Sequence, residues 1–138
     1  MPKFVSNLLF MKKFLLSVLA FSALYVTANA QTKGVKVDTI KTPSIQCDMC
    51  KARIEEYLKR IDGVTFVKVN VKRKETIVKY LADRTNNEMI KTSIANVGYD
   101  VAKSIEPYEI EIAANPEYYK MLPKCCKKPE DGGGMPKQ

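Results

Sequence analysis

Two cysteines three positions apart, Cys47 and Cys50, are the residues of this chain best suited to chemistry. They stand in "PSIQCDMCKARIEEYL", residues 43–58, where a β-like segment gives way to an amphipathic helix. Thiol pairs at this spacing bind metals, exchange disulfides or form a structural disulfide. The surrounding sequence has to decide among these three uses.

The predicted helix places Cys47 in the loop before its start and Cys50 in its first turn. Unpaired backbone N–H groups and the helix dipole stabilise anions there, so we expect both thiols to have lowered pKa values. Thiolates bind soft ions, and the chain contains no histidine, so the pair favours Cu(I) or a comparably thiophilic ion over Mg²⁺ or Ca²⁺. Since a closed structural zinc site takes four ligands, a two-thiolate site suits an ion that is handed on.

A second pair, Cys125 and Cys126, lies near the carboxyl terminus. Adjacent cysteines form a strained ring if they are bonded to each other, so bridges to other cysteines or metal binding are the alternatives. If this part of the chain folds back, four sulfurs would converge and turn a transfer site into a tighter store. Met49 and Met121 offer thioethers, although packing is the more usual role of such methionines.

The first thirty residues have the features of a secretory signal. From Met11 the sequence reads "MKKFLLSVLAFSALYVTANAQ", in which two lysines precede an apolar run and Ala28-Asn29-Ala30 offers a small-residue cleavage site. The apolar run is shorter than the roughly 20 residues that span a bilayer, so we expect no permanent anchor. We predict cleavage after Ala30 and a periplasmic or extracellular location.

The charge of the mature chain gives little support for nucleic-acid binding. Residues 1–30 contain three lysines and no acid, so their removal lowers the net charge from +8 to +5. The remaining basic residues are interleaved with acids, which is typical of a solvated surface.

Hydrophobic periodicity predicts a strand, helix, strand, strand, helix, strand order over residues 31–105. Thr85 and Glu88 form a predicted capping box for the second helix, and Gly98 ends it. The order predicts an α+β, ferredoxin-like βαββαβ sandwich, with a four-stranded antiparallel sheet and two helices on one face. The segments are a strand in 35–45, a three-turn helix that ends before Asp62-Gly63, strands 64–71 and 76–82, a helix at about 86–97 and a strand at 99–105.

Residues 106–138 form a predicted C-terminal extension. "YEIEI" at 108–112 alternates and can add a short strand, and Asn115-Pro116 predicts the start of a brief helix. The final "EDGGGMPKQ", residues 130–138, has the composition of a disordered tail.

The segment 35–105 resembles the heavy-metal-associated domains of copper chaperones, copper-transporting ATPases and the exported mercury-binding protein of mercury resistance. The resemblance rests on the cysteine pair between the first strand and first helix, "IDGV" at 61–64 and "VGYDV" at 97–101. It implies that Cys47 and Cys50 bind the metal. It also implies that Tyr99 packs near the metal loop, which we define as residues 44–50.

The metal loop departs from the family pattern at four positions. The family commonly has Gly-Met-Thr before the first cysteine, whereas this chain has Ser44-Ile45-Gln46. Ile45 can take the core position of the methionine. Asp48, between the two cysteines, is also unusual for the family.

We therefore expect an exported heavy-metal-binding protein that holds Cu(I) at Cys47 and Cys50. Cys125 and Cys126 are candidate accessory ligands, and disulfides are the alternative for them. Hg(II), Zn(II) and Cd(II) are the other candidate ions, and the expected partner is a metal-transporting ATPase or another metal-binding protein. Nothing in the sequence resembles a catalytic acid, base or hydrolytic nucleophile set, so we do not expect an enzyme. The alternatives are an extracytoplasmic thiol-disulfide oxidoreductase that uses the same pair and a disulfide-stapled interaction module; the oligomeric state is left open.

Overall fold

One antiparallel sheet carries two helices on one face in a computed structural model that describes residues 34–134. The predicted signal at residues 1–30 lies outside the described residues, as do residues 31–33 and 135–138. Within the described range, no helix has the length and apolarity needed to cross a membrane.

The order of the elements confirms the predicted ferredoxin-like fold. The first strand is shorter than predicted and ends at Lys41. The residues after it form the loop that carries Cys47. The extension adds a strand, a short helix and two 3-10 turns. The elements are β1 Val35–Lys41, α1 Asp48–Leu58, β2 Val64–Asn70, β3 Glu75–Leu81, α2 Asn87–Asn96, β4 Val101–Ser104, β5 Glu109–Ile112, α3 Pro116–Lys120, and the 3-10 turns Lys124–Cys126 and Pro129–Asp131.

The sheet has five strands in the order β2-β3-β1-β4-β5, one more than the four of the predicted core. The added strand, β5, comes from the alternating segment of the extension and pairs antiparallel with β4. It satisfies backbone groups of β4 that would otherwise form a sheet edge. The extension is therefore joined to the domain by main-chain hydrogen bonds.

The core lies between the helices and the sheet. Apolar residues four apart on each helix turn toward the sheet, and the inward-facing positions of the strands meet them. These buried residues include Ile54 and Leu58 of α1, Ile90 and Ile94 of α2, and Val67, Val69 and Val78 of the sheet. Ile45 is also fully buried, so it occupies the core position expected of it and anchors the metal loop.

The predicted capping box of α2 is wrong by one residue. The N-cap is Asn86, whose side-chain oxygen accepts a hydrogen bond from the Met89 N–H at 2.9 Å. Thr85 is buried, and its hydroxyl has no hydrogen-bond partner among the described residues. Asparagine is at least as good an N-cap residue as threonine, and the spacing of Thr85 and Glu88 pointed to the wrong one of the two neighbours. At α3 the expectation is confirmed, because the Asn115 side chain accepts from the Glu117 N–H at 3.0 Å.

The first part of the predicted disordered tail is folded. Tyr119 donates its hydroxyl hydrogen to the Asp131 carboxylate at 2.5 Å, and the Gly134 N–H donates to the Lys124 carbonyl at 3.1 Å. The polar, glycine-rich composition of 130–134 indicated disorder, but these contacts with α3 and the first 3-10 turn hold the segment. Residues 135–138 lie outside the described range.

Gly98 allows the extension to approach the end of α2, and its replacement tests this packing. Its φ is +103°, and a Cβ there would lie 3.1 Å from the Tyr119 nitrogen and 3.2 Å from the Tyr118 carbonyl carbon. We expect Gly98→Ala to lower the free energy of unfolding by more than ~2 kcal/mol, because backbone strain and a backbone clash add together. Urea denaturation of the reduced protein measures this change.

Gly132→Ala is the matched control. Gly132 also has a positive φ, +73°, but a Cβ there meets nothing within 4 Å. Only the strain of about 1 kcal/mol remains at this position. Equal losses of stability in the two variants would show that α3 does not pack on Gly98 as described.

Candidate metal centre

The metal loop brings Cys47 and Cys50 to the start of α1 as the sequence predicts. Cys47 is the N-cap residue, with an extended backbone, and Cys50 lies in the first turn and is fully buried. The Lys51 N–H donates to the Cys47 carbonyl at 3.2 Å, which closes that turn. Both sulfurs therefore sit at the helix end where anions are stabilised.

All four cysteines carry free thiols, and their sulfurs converge. Cys47 is at the centre of the cluster: its Sγ lies 3.4 Å from that of Cys50, 3.3 Å from that of Cys125 and 3.7 Å from that of Cys126. The sulfurs of Cys125 and Cys126 are 3.9 Å apart. The structure thus places the two predicted accessory cysteines beside the predicted pair.

Three of these sulfurs have the spacing of a metal-ligand set. The Sγ atoms of Cys47, Cys125 and Cys126 all lie within 4.8 Å of one another. With metal–sulfur bonds of about 2.3 Å, three sulfurs around one ion are separated by roughly 4 Å. The observed spacing is close to this value, so small side-chain rotations suffice to bind an ion.

Packing of Leu122 in the core holds the second cysteine pair near the metal loop. The 3-10 turn that carries Cys125 and Cys126 follows Leu122, which is buried in the core. Cys126 is 1% exposed, whereas Cys125 is partly open to solvent.

The two methionines considered as thioether donors are both exposed, so neither is a core residue. The sulfur of Met49 lies 3.5 Å from the Sγ of Cys125, at the outer edge of the cluster. Met121 instead lines a groove with Arg53 and Tyr57. Sequence reasoning treated the two alike because spacing alone did not show which one faces the extension.

The electrostatics distinguish the thiols of the cluster. Burial opposes ionisation of Cys47, but the Cys50 backbone N–H and the neighbouring Cys125 thiol stabilise its thiolate more, and the pKa of Cys47 is lowered. The hydrogen bond with Cys47 and then burial raise the pKa of Cys125, and burial followed by the Cys50 thiol raises that of Cys126. Cys47 is therefore the thiol that ionises most easily of these three.

Tyr99 lies behind the cluster and is fully buried. Its hydroxyl forms no hydrogen bond with the described residues. Burial, followed by the proximity of Cys126 and Cys50, raises the pKa of Tyr99. The tyrosine thus packs near the metal loop, where the resemblance placed it.

Comparison with known proteins agrees with this arrangement. The sequence model of the heavy-metal-associated domain family matches residues 39–100. The COP-associated protein of Helicobacter pylori is 35% identical over 63 residues, which are 46% of this chain and 94% of that protein. This chain belongs to the heavy-metal-associated domain family.

Two further proteins are similar to part of this chain. A copper-exporting P-type ATPase of Staphylococcus aureus is 32% identical over 71 residues, which are 50% of this chain and 9% of the ATPase. The solved structure of a CopZ metallochaperone is 30% identical, covers 49% of this chain and all of its own, and superposes with a TM-score of 0.48.

The match to the heavy-metal-associated domain ends at residue 100, so it does not reach Cys125 or Cys126. These are the residues of the cluster that family comparison does not find. In the sequence, only the adjacency of Cys125 and Cys126 marked them as candidates. Adjacency does not predict where in the fold the two thiols lie.

The different pKa values of the thiols predict a pH titration with a distinct first step. The lowered pKa of Cys47 makes its thiolate form at a lower pH than an ordinary cysteine, and Cys126 ionises only at higher pH. The ultraviolet absorbance of thiolate in the reduced protein should therefore show an early step that is absent from Cys47→Ser. An unchanged early step in that variant would assign the lowered pKa to another thiol.

Proposed function

We propose that this protein binds Cu(I) through Cys47 and Cys50 and passes the ion to another thiolate-bearing protein. The observation that carries the proposal is the 3.4 Å separation of the two sulfurs at the start of α1. Soft thiolates favour Cu(I), and the chain has no histidine to compete as a ligand. The copper-exporting ATPase among its relatives supports copper as the ion and an ATPase of this kind as the partner.

Transfer by thiolate exchange needs a path for the partner's sulfur. An open groove beside Cys47 is lined by Gln46, Asp48 and three lysines, namely Lys51, Lys68 and Lys72. Basic side chains around the groove favour a partner that presents acidic residues near its own cysteines. The incoming thiolate adds to the ion before a thiolate of this chain leaves.

Binding of the ion releases protons rather than electrons. Each thiol that becomes a ligand gives its proton to solvent, and Cu(I) keeps its oxidation state. The lowered pKa of Cys47 reduces the cost of this deprotonation at neutral pH. The same sulfur is therefore suited to make the first contact with the ion.

A Cu(I) titration tests the proposal. We expect reduced residues 31–138 to take one tight equivalent from a coloured Cu(I) chelator under anaerobic conditions. Cys47→Ser and Cys50→Ser should each weaken binding by at least ~100-fold, because each removes a ligand. Met121→Ser is the matched control, since it removes an exposed sulfur that lies in another groove and should leave binding unchanged.

Failure of the wild-type protein to compete for Cu(I) would overturn the assignment. The same titration with Zn(II), Cd(II) and Hg(II) would then show whether another thiophilic ion is bound. If none binds and the protein exchanges disulfides with reduced or oxidised client proteins, the oxidoreductase alternative replaces the carrier.

Export is the second part of the proposal and has its own test. We expect the protein recovered from outside the cytoplasm to begin at Gln31, and Ala30→Arg to block this processing because signal cleavage needs a small residue there. N-terminal sequencing of fractionated cells checks both, with Ser22→Ala as a control within the apolar run. Retention of an uncleaved chain in the cytoplasm would contradict export.

A further inference from the structure

We propose that the C-terminal extension closes the metal site, with Cys125 and Cys126 binding the same ion as Cys47. The protein then holds the ion with three or more sulfurs and releases it only when the extension lifts or its thiolates are displaced. This inference rests on the proposed function and gives it a regulation: the extension sets how tightly the ion is held and how fast it leaves.

Both thiols of the extension point at one sulfur of the metal loop. The Sγ atoms of Cys125 and Cys126 lie 3.3 Å and 3.7 Å from that of Cys47, although they come from consecutive residues. Consecutive side chains in an extended segment point in opposite directions. The 3-10 turn Lys124–Cys126 removes this alternation and brings both thiols to the same side.

A hydrogen bond joins the residues next to the cysteine ligands. The Gln46 side-chain amide donates to the Lys127 carbonyl at 2.7 Å. Gln46 immediately precedes Cys47, and Lys127 immediately follows Cys126. One contact therefore fixes the distance between the metal loop and the extension at the point where their sulfurs meet.

An ion pair with a buried carboxylate lies one residue further along. The Lys128 ammonium lies 2.7 Å from the carboxylate of Asp100, which is 2% exposed. The backbone N–H of Asp100 donates to the Ser44 hydroxyl in the metal loop at 2.8 Å. Ser44, Asp100 and Lys128 thus form a second connection between loop and extension.

These two connections depend on the side chains of Ser44 and Gln46. A glycine in place of Ser44 has no hydroxyl to accept the hydrogen bond of Asp100. A threonine in place of Gln46 has a shorter side chain and would not reach Lys127 in the same way. The two loop side chains and the cysteines of the extension therefore belong to one arrangement.

A third thiolate changes the chemistry of transfer. Its proton goes to solvent when the sulfur joins the ion, and no oxidant or reductant is needed. An incoming thiolate can add readily to a two-coordinate ion, whereas in the closed site it must first displace a sulfur of the extension. The closed site should therefore bind more tightly and exchange more slowly than Cys47 and Cys50 alone.

The test compares the full mature chain with Cys125→Ser/Cys126→Ser. We expect the variant to keep one Cu(I) at Cys47 and Cys50, to bind it about 10–100-fold more weakly, and to lose it at least ~10-fold faster to a peptide that carries a Cys-x-x-Cys pair. Competition with a coloured chelator and stopped-flow transfer measure the two quantities.

A second pair of variants tests the attachment without removing a ligand. Lys128→Met removes the ion pair with Asp100 and should speed transfer. Lys124→Met should not, because Lys124 is an exposed lysine of the 3-10 turn that carries Cys125 and Cys126 and has no such pair with Asp100. Circular dichroism checks that each variant is folded. If Lys128→Met does unfold, Gln46→Thr provides the same test by removing the contact with Lys127.

The outcomes separate this inference from the proposed function. Wild-type affinity and transfer rate in Cys125→Ser/Cys126→Ser would overturn the closed site and leave the carrier at Cys47 and Cys50 intact. Absence of Cu(I) binding by the wild-type chain would overturn the proposed function and this inference with it. The closed site is supported if the double variant binds Cu(I) more weakly and transfers it faster. It also requires faster transfer in Lys128→Met and an unchanged rate in Lys124→Met.

Discussion

The arrangement around the metal loop depends on the buried carboxylate of Asp100. This carboxylate accepts a hydrogen bond from the Ala114 N–H at 2.8 Å and pairs with the Lys128 ammonium. The backbone N–H of Asp100 donates to the Ser44 hydroxyl. A buried charge that loses its partner destabilises a fold by several kcal/mol, so this carboxylate requires the extension to be in place. Burial alone would lower the pKa of Lys128, but the hydrogen bond with Asp100 raises it, so the lysine stays charged.

The extension held in this way brings two of its thiols beside the two of the metal loop. Several thiolates so close together would repel one another in the absence of a cation. The raised pKa values of Cys125 and Cys126 keep those two neutral, while Cys47 is the sulfur on which negative charge is most stable. An arriving cation changes this balance, because it stabilises further thiolates and drives their protons into solvent.

The sequence predicted the parts of this arrangement that depend on local patterns. Periodicity and helix-start signals gave the order of the elements and placed Cys47 and Cys50 at α1. The contacts of Gln46 with Lys127 and of Asp100 with Lys128 join segments far apart in the chain, and hydrophobic periodicity carries no information about such pairs. The polar composition of 130–134 indicated disorder, because composition does not reveal the hydrogen bond between Tyr119 and Asp131.

In the closed site, sulfurs from the metal loop and from the extension bind one ion. X-ray absorption spectroscopy of the wild-type chain loaded with one equivalent of Cu(I) tests it directly, because the spectrum counts the sulfur neighbours of the metal. We expect three or more sulfurs in the wild type and two in Cys125→Ser/Cys126→Ser. Two sulfurs in both proteins would contradict it and leave Cys47 and Cys50 as the whole site.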